Sequence, residues 1–235
     1  MPFRAPWREM GLDPDDPATW TQPVVRLGMF GGSPWVEAAN TPQLVTAFDQ
    51  LAGQGRWIPP RALGTFVVRF PAAESANDEG WHVDVSFGEG ADFMEWRANV
   101  MSRGRALLML FLFSDVSETD GPTRIRKGSH ADVARMLAPA GEAGLTLREL
   151  VAQLSETERR EEALATGPAG TVYLCHPFLV HAAQRNCGTR PRFLAQPPLL
   201  PREGLRLERE DDAYSPVEIA IRQAIGPGLI GARSA

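Results

Sequence analysis

Cysteine and lysine are nearly absent from this sequence, and no stretch of it stays apolar for long. Two cysteines, Cys175 and Cys187, in 235 residues exclude a disulfide framework, and neither stands in a Cys-x-x-Cys or Cys/His spacing that would hold a metal. A reducing cytoplasm is the expected setting. The longest strongly apolar run, Ala106 to Phe113, is eight residues, too short to cross a bilayer. The opening MPFRAPWREMGLDPDDPATW contains no apolar core of the signal-peptide kind, so a soluble, unexported protein is expected. A positive stripe is missing too: a formal net charge of −5 and a pI near 5.5 argue against a nucleic-acid surface. Lysine occurs once, at Lys127, so 23 of the 24 basic residues are arginines, whose planar fork suits carboxylates. The expected partner is a small and acidic molecule.

What is present has the texture of one β-rich domain over residues 1–235. Residues 1–61 form an N-terminal arm and helix. The first 45 or so are rich in Pro, Gly and Trp, with DPDDP and GGSP as turn signals. TPQLVTAFDQL, from Thr41 to Leu51, starts with a Thr cap and a Pro and spaces Leu44, Phe48 and Leu51 as a helix does. From Ala62 the pattern turns to strands: LGTFVVRF is β-branched and aromatic, GWHVDVSF alternates, and ALLMLFLF is continuous enough for a strand buried on both faces. Residues 62–130 and 167–200 are thus expected as a β core whose strands pair across a helical insertion at 131–166. In that insertion Leu147, Leu150, Val151 and Leu154 form one stripe. A tail follows at 201–235. The fold class implied is mainly β with flanking helices, a double-stranded β-helix or jelly roll of the cupin-like kind.

The chemistry lies with the histidines. In GWHVDVSF, His82 and Asp84 are two apart, so on an extended chain both side chains leave the same face and can converge on one ion. By itself a His-x-Asp pair is common, and a strand-edge histidine bonded to a carboxylate explains it as well. A second histidine strengthens it: His181 follows a strand in HAAQRNCGTRPR, with Arg192 eleven positions later. Two imidazoles and one carboxylate make the facial triad of non-haem Fe(II) oxygenases, which leaves three coordination positions open, two for a 2-oxo acid and one for dioxygen. An arginine deeper in the barrel would hold the acid's far carboxylate through paired charge-assisted hydrogen bonds. His176 competes with His181 for the third ligand position, and Arg190 competes with Arg192. Thr65 and Arg69 on one strand, and Asn99 on another segment, are further candidates to line the cavity, with Arg69 the better placed because a charge interrupting an apolar strand is costly unless paired or functional. His130, closing GSH, is expected to act locally, capping a helix that begins at Ala131 or bonding a nearby turn. Trp81 and Phe87, which flank the metal pair, read as core.

Three blocks in order, GWHVDVSF, then ALLMLFLFSDVSETDGPTRIRKGSH, then GTVYLCHPFLVHAAQRNCGTRPRF, resemble the phytanoyl-CoA dioxygenase family of Fe(II)/2-oxoglutarate oxygenases over about residues 62 to 195. The resemblance puts the family's distal histidine, asparagine and arginine on His181, Asn186 and Arg192, which favours His181 over His176 and Arg192 over Arg190. It implies Fe(II) held by His82, Asp84 and His181, with 2-oxoglutarate as co-substrate, O2 as oxidant and ascorbate as an optional stimulant. It also implies conversion of 2-oxoglutarate to succinate and CO2 coupled to hydroxylation of a small metabolite. Related halogenases replace the carboxylate ligand with a small residue, so Asp84 argues against halogenation. Desaturation, cyclisation and epimerisation stay open. So do two rival readings, a catalytically silent ligand-binding barrel and a cupin-type metalloenzyme that does not use 2-oxoglutarate. The length of the chain leaves little room for a carrier- or coenzyme-binding domain, so a free metabolite is the expected substrate.

Overall fold

A computed structural model of the chain describes residues 10–226. Its first strand, β1 (Val24–Gly31), lies in the segment expected to be loops. Val25 and Leu27 are buried and Arg26 points the other way, the alternation of an edge strand concealed among turn residues. Helices α1 (Ser33–Ala39) and α2 (Pro42–Ala52) follow, the second as anticipated: Thr41 Oγ1 accepts from the Leu44 amide, Pro42 opens the helix and Gly53 at φ 96° closes it. Next come β2 (Trp57–Ile58), β3 (Ala62–Arg69), β4 (Arg97–Ala98), β5 (Leu107–Leu112) and β6 (Arg124–Arg126).

The region expected as a helical insertion at 131–166 is only partly helical. Helix α3 (Ser129–Leu137) begins two residues early, so His130 sits inside its first turn and does not cap it. After β7 (Leu145–Thr146) and α4 (Leu147–Gln153), the charged stretch leaves the helix and forms β8 (Glu162–Leu164), because its backbone finds a partner in β6. On α4 and the turn after it, Leu147, Leu150 and Leu154 are buried whereas Val151 is exposed. The chain continues through β9 (Val172–Cys175), β10 (His181–Ala182), β11 (Arg192–Ala195) and β12 (Pro198–Pro201) to α5 (Pro216–Ile225). That last helix, in the tail, carries the Ser215/Glu218 capping box and buries Val217, Ile221 and Ile225.

All strand pairings are antiparallel. The main sheet runs β1-β3-β11-β5-β12-β2, with β9 on the other side of β5, and a smaller sheet runs β10-β6-β8. These are the two walls of a jelly roll. The unbroken apolar character of β5 has a direct cause. Leu107, Met109 and Phe111 join the large core beneath the helices, while Leu108, Leu110 and Leu112 join a second core with Ile125, Leu179 and Leu194, inside the roll. No helix among the described residues is long and apolar enough to cross a membrane.

Candidate active site

On the face of the main sheet that looks into the roll, one row sets two buried charges directly opposite each other. Arg69 on β3 and Arg192 on β11 are cross-strand partners, 1% and 2% exposed, and the next row holds Val67 opposite Leu194. Like charges placed directly across a ladder destabilise it unless an anion intervenes. One does so for Arg69: Asp78, from the loop after β3, accepts from its Nη2 at 2.9 and 2.8 Å and also from Arg26 on β1 at 2.6 Å. Burial raises the Asp78 carboxyl, and its bonds to Arg69 and Arg26 outweigh that and hold it below the ordinary range. Arg192 has no such carboxylate. It donates to the Gly121 carbonyl, and burial with Arg69 alongside lowers its guanidinium to about 9, Asp78 opposing. The Nε groups of both Arg69 and Arg192 are buried without hydrogen-bond partners. Together with Arg26 and Asp78 they line a cavity of about 210 Å³ that reaches His82, His181, Thr123 and Gln196.

The triad sits at the other end of that cavity. GWHVDVSF is extended but is not the regular strand expected, since it contacts its neighbours only through backbone bridges at His82 and Phe87. Its alternation is nonetheless clear: Val83 and Val85 are in the core, and His82 and Asp84 face the opposite side. His82 and His181 exchange both backbone hydrogen bonds, 3.0 Å each, which brings their rings to 4.4 Å between centroids. Asp84 Oδ1 lies 3.9 Å from His82 Nε2 and 3.8 Å from His181 Nε2, and one donor atom from each residue falls within 4.8 Å of the others.

The outer nitrogens of both rings are committed to the backbone. His82 Nδ1 is 2.9 Å from the Gly80 carbonyl and His181 Nδ1 is 3.0 Å from that of Leu179, so each Nδ1 carries the proton and each Nε2 presents a lone pair. Burial first, and His82 second, push the His181 imidazole down to about 4, so it is neutral at physiological pH, as a metal ligand must be. Burial raises the Asp84 carboxyl, and Arg105, His181 and His82 more than offset it and leave it ionised. Two imidazole nitrogens and one carboxylate oxygen, converging on a single point beside a cavity, fit a mononuclear non-haem iron.

The structure separates the other candidates. His176 is not on one strand with His181, because the chain turns at His176–Leu179 and β9 and β10 belong to different sheets; His176 stacks on His130 at 4.8 Å and is not part of the His82, Asp84 and His181 cluster. Arg190 is exposed. Asn186 is fully buried and braces the loop, donating to the carbonyls of Arg69 and Arg190 at 3.0 and 2.8 Å. Thr65 is in phase with Val67 and Arg69 but is exposed opposite Met29, where β1 is out of register, and does not line the cavity. Asn99 is buried elsewhere, in a groove of about 520 Å³ by α5, with its amide on the Glu142 carbonyl at 3.0 Å. Trp81 is half-buried, with the guanidiniums of Arg124 and Arg126 over its ring at 4.6 and 4.2 Å. Sequence reasoning missed Asp78, Arg26 and Arg105. Only Arg26 left a signal, as the polar position of an alternating VVRLG segment.

A jelly roll with a His-Asp-His cluster over buried arginines defines the class of mononuclear iron oxygenases. The sequence matches the model of the phytanoyl-CoA dioxygenase (PhyH) family over residues 38–194, which is well over half the chain. The chain belongs to the phytanoyl-CoA dioxygenase family. Among solved structures it is similar to GIG2, a DUF1479 protein of Candida albicans, at 10% identity and a TM-score of 0.52, over 88% of this chain and 67% of that one. It is also similar to HygX of Streptomyces hygroscopicus, solved with nickel, 2-oxoglutarate and hygromycin B, at 18% identity and a TM-score of 0.44, covering 83% and 75% of the two chains. A third is the carbocyclase SnoK of nogalamycin biosynthesis, at 17% identity and a TM-score of 0.38, over 58% of this chain and 47% of SnoK, less than half its length. No curated protein matches the sequence.

Proposed function

We propose that this chain, as a single domain, is an Fe(II)- and 2-oxoglutarate-dependent dioxygenase that hydroxylates a small-molecule metabolite. The observation that carries the reading is a charge imbalance beside the triad. Two buried arginines face one carboxylate, and both keep unpartnered Nε–H groups at a cavity that also touches both histidines. A buried cation without an anion is costly, so the cavity is built for a ligand with a carboxylate. A 2-oxo acid chelating the metal at its keto end and reaching Arg192 with its far carboxylate meets that need.

The residues divide the work. His82 and His181 offer Nε2, and Asp84 offers Oδ1. Arg192, assisted by Arg69, receives the distal carboxylate of 2-oxoglutarate, while Val67 and Leu194 form the dry wall along its carbon chain. Iron, when bound, supplies the redox chemistry that couples 2-oxoglutarate decarboxylation to C–H oxidation. Asp84 supports hydroxylation over halogenation, since a carboxylate stands where a halide would have to bind.

Purified protein supplied with Fe(II), ascorbate and 2-oxoglutarate is expected to release succinate slowly even without substrate, and Asp84→Ala to abolish that release. Equal background from wild type and variant would sink the reading.

A further inference from the structure

The metal's carboxylate ligand has two oxygens, and they meet different surroundings. Oδ1 faces the two imidazole nitrogens at 3.8 and 3.9 Å, whereas Oδ2 lies 3.2 Å from Nη1 of Arg105. Resting on the iron reading above, we propose that Arg105 is a positioning residue. It holds Oδ2 of Asp84 so that the carboxylate reaches the metal through Oδ1 alone.

Two observations support this. Arg105 issues from a tightly fixed point at the base of β5: its carbonyl accepts from Ser102 Oγ at 2.5 Å, its amide donates to the Ser102 carbonyl at 3.2 Å, and the next amide, of Ala106, is tied to Leu199 at 2.7 Å. The side chain therefore has little freedom in where its head arrives. That head is largely buried, 13% exposed, and Asp84 is its ion-pair partner; Nε and Nη1 have no hydrogen-bond acceptor among the described residues. A guanidinium placed so, without a hydrogen-bond network of its own, is not a surface charge that happened to fold inwards.

The arrangement has a chemical purpose. A free carboxylate can chelate through both oxygens, which would take up one of the three positions that a facial triad leaves for co-substrate and oxygen. Committing Oδ2 to Arg105 prevents that. Partners of metal ligands of this kind typically govern metal affinity by 10- to 100-fold.

The test is titration of the metal-free protein with Co(II), followed by affinity and by the visible spectrum, which reports ligand number. Arg105→Gln, shown to be folded by circular dichroism, is expected to bind Co(II) roughly 10- to 100-fold more weakly and with an altered spectrum. Arg105→Lys, which keeps the charge but not the fork, is expected to fall between Gln and wild type, and Arg103→Gln on the same turn to match wild type. Should Arg105→Gln not fold, Arg105→Lys decides. Wild-type affinity and spectrum in whichever folded Arg105 variant is measured overturn the inference while leaving the iron site standing. Failure of wild type itself to bind Co(II) removes both.

Discussion

Arg69 and Arg192 stand directly opposite each other on β3 and β11, both buried, and only Arg69 has a carboxylate to pair with. The roll thus holds a cation without a carboxylate partner in the cavity that also reaches His82 and His181, and the consequences can be measured.

Arg192→Lys keeps the charge but loses the planar fork and its reach. Loss of a charge-assisted pair of hydrogen bonds costs about 1.5–3 kcal/mol, so the KM for 2-oxoglutarate should rise roughly 10- to 100-fold. The rate at saturating 2-oxoglutarate should change far less. Succinate release against 2-oxoglutarate concentration checks this, and an unchanged KM would remove Arg192 from the co-substrate site.

Asp78→Asn leaves Arg69 buried without its anion. Because Asp78 is itself partly solvated, with 18% of its side chain exposed, the loss is expected at about 2–3 kcal/mol, below the full value for breaking a buried pair. The thermal shift on adding 2-oxoglutarate should then be larger than in wild type, since the ligand replaces part of the missing charge. A smaller shift would mean that Asp78 orients Arg69 and does not compete with the ligand.

Gly121 provides the carbonyl that holds Arg192, and its own conformation leaves no room for a side chain. Its φ is +66°, and an added Cβ would lie 3.0 Å from the Gln184 carbonyl and 3.1 Å from Arg69 Cδ and Asn186 Cα. Gly121→Ala is expected to cost about 1–3 kcal/mol in chemical denaturation and to weaken 2-oxoglutarate binding in the same protein.

His176 predicts an acid-sensitive fold. Burial, with His130 adding to it, pushes its imidazole down to about 3, from 6.5 in the unfolded chain. Below pH 6.5 the unfolded chain takes up a proton that the native state refuses, so stability falls with pH across the window from 6.5 to 3. Between pH 7 and 4.5 this amounts to about 2–3 kcal/mol, at about 1.4 kcal/mol per pH unit. In His176→Asn the fall in melting temperature over that range should be shallower. An identical slope would show that other groups carry the acid sensitivity.

Much of this molecule was legible from residue pattern. The two-sided burial of β5 follows from its unbroken run of Leu, Met and Phe, and α2 from Thr41 and Pro42. The His82, Asp84 and His181 cluster follows from a two-residue spacing and an ordered set of motifs. What stayed hidden depends on contacts between distant residues. β1 is a strand because β3 offers it an edge, and turn residues around it mask its alternation. Asp78 lies in a loop whose course nothing local dictates, and Arg105 matters only because Asp84, 21 positions earlier in the chain, comes to lie at its tip. Thr65 shows the limit of facing arguments: it is in phase with Val67 and Arg69, but the cavity wall ends before it. Helix α5 lies in the tail, where no element was expected, and opens on the capping box of Ser215 and Glu218.

The backbone rung that joins His82 to His181 also bears on when the protein can acquire its metal. The two residues are 99 positions apart, so during synthesis the first imidazole and its carboxylate emerge roughly 5–20 s before the second imidazole exists. For that interval the nascent chain offers a passing ion two donors, a poor grip, and the third arrives only with the rung that closes the roll. On the iron reading proposed above, the full set of three donors thus exists only in the finished fold.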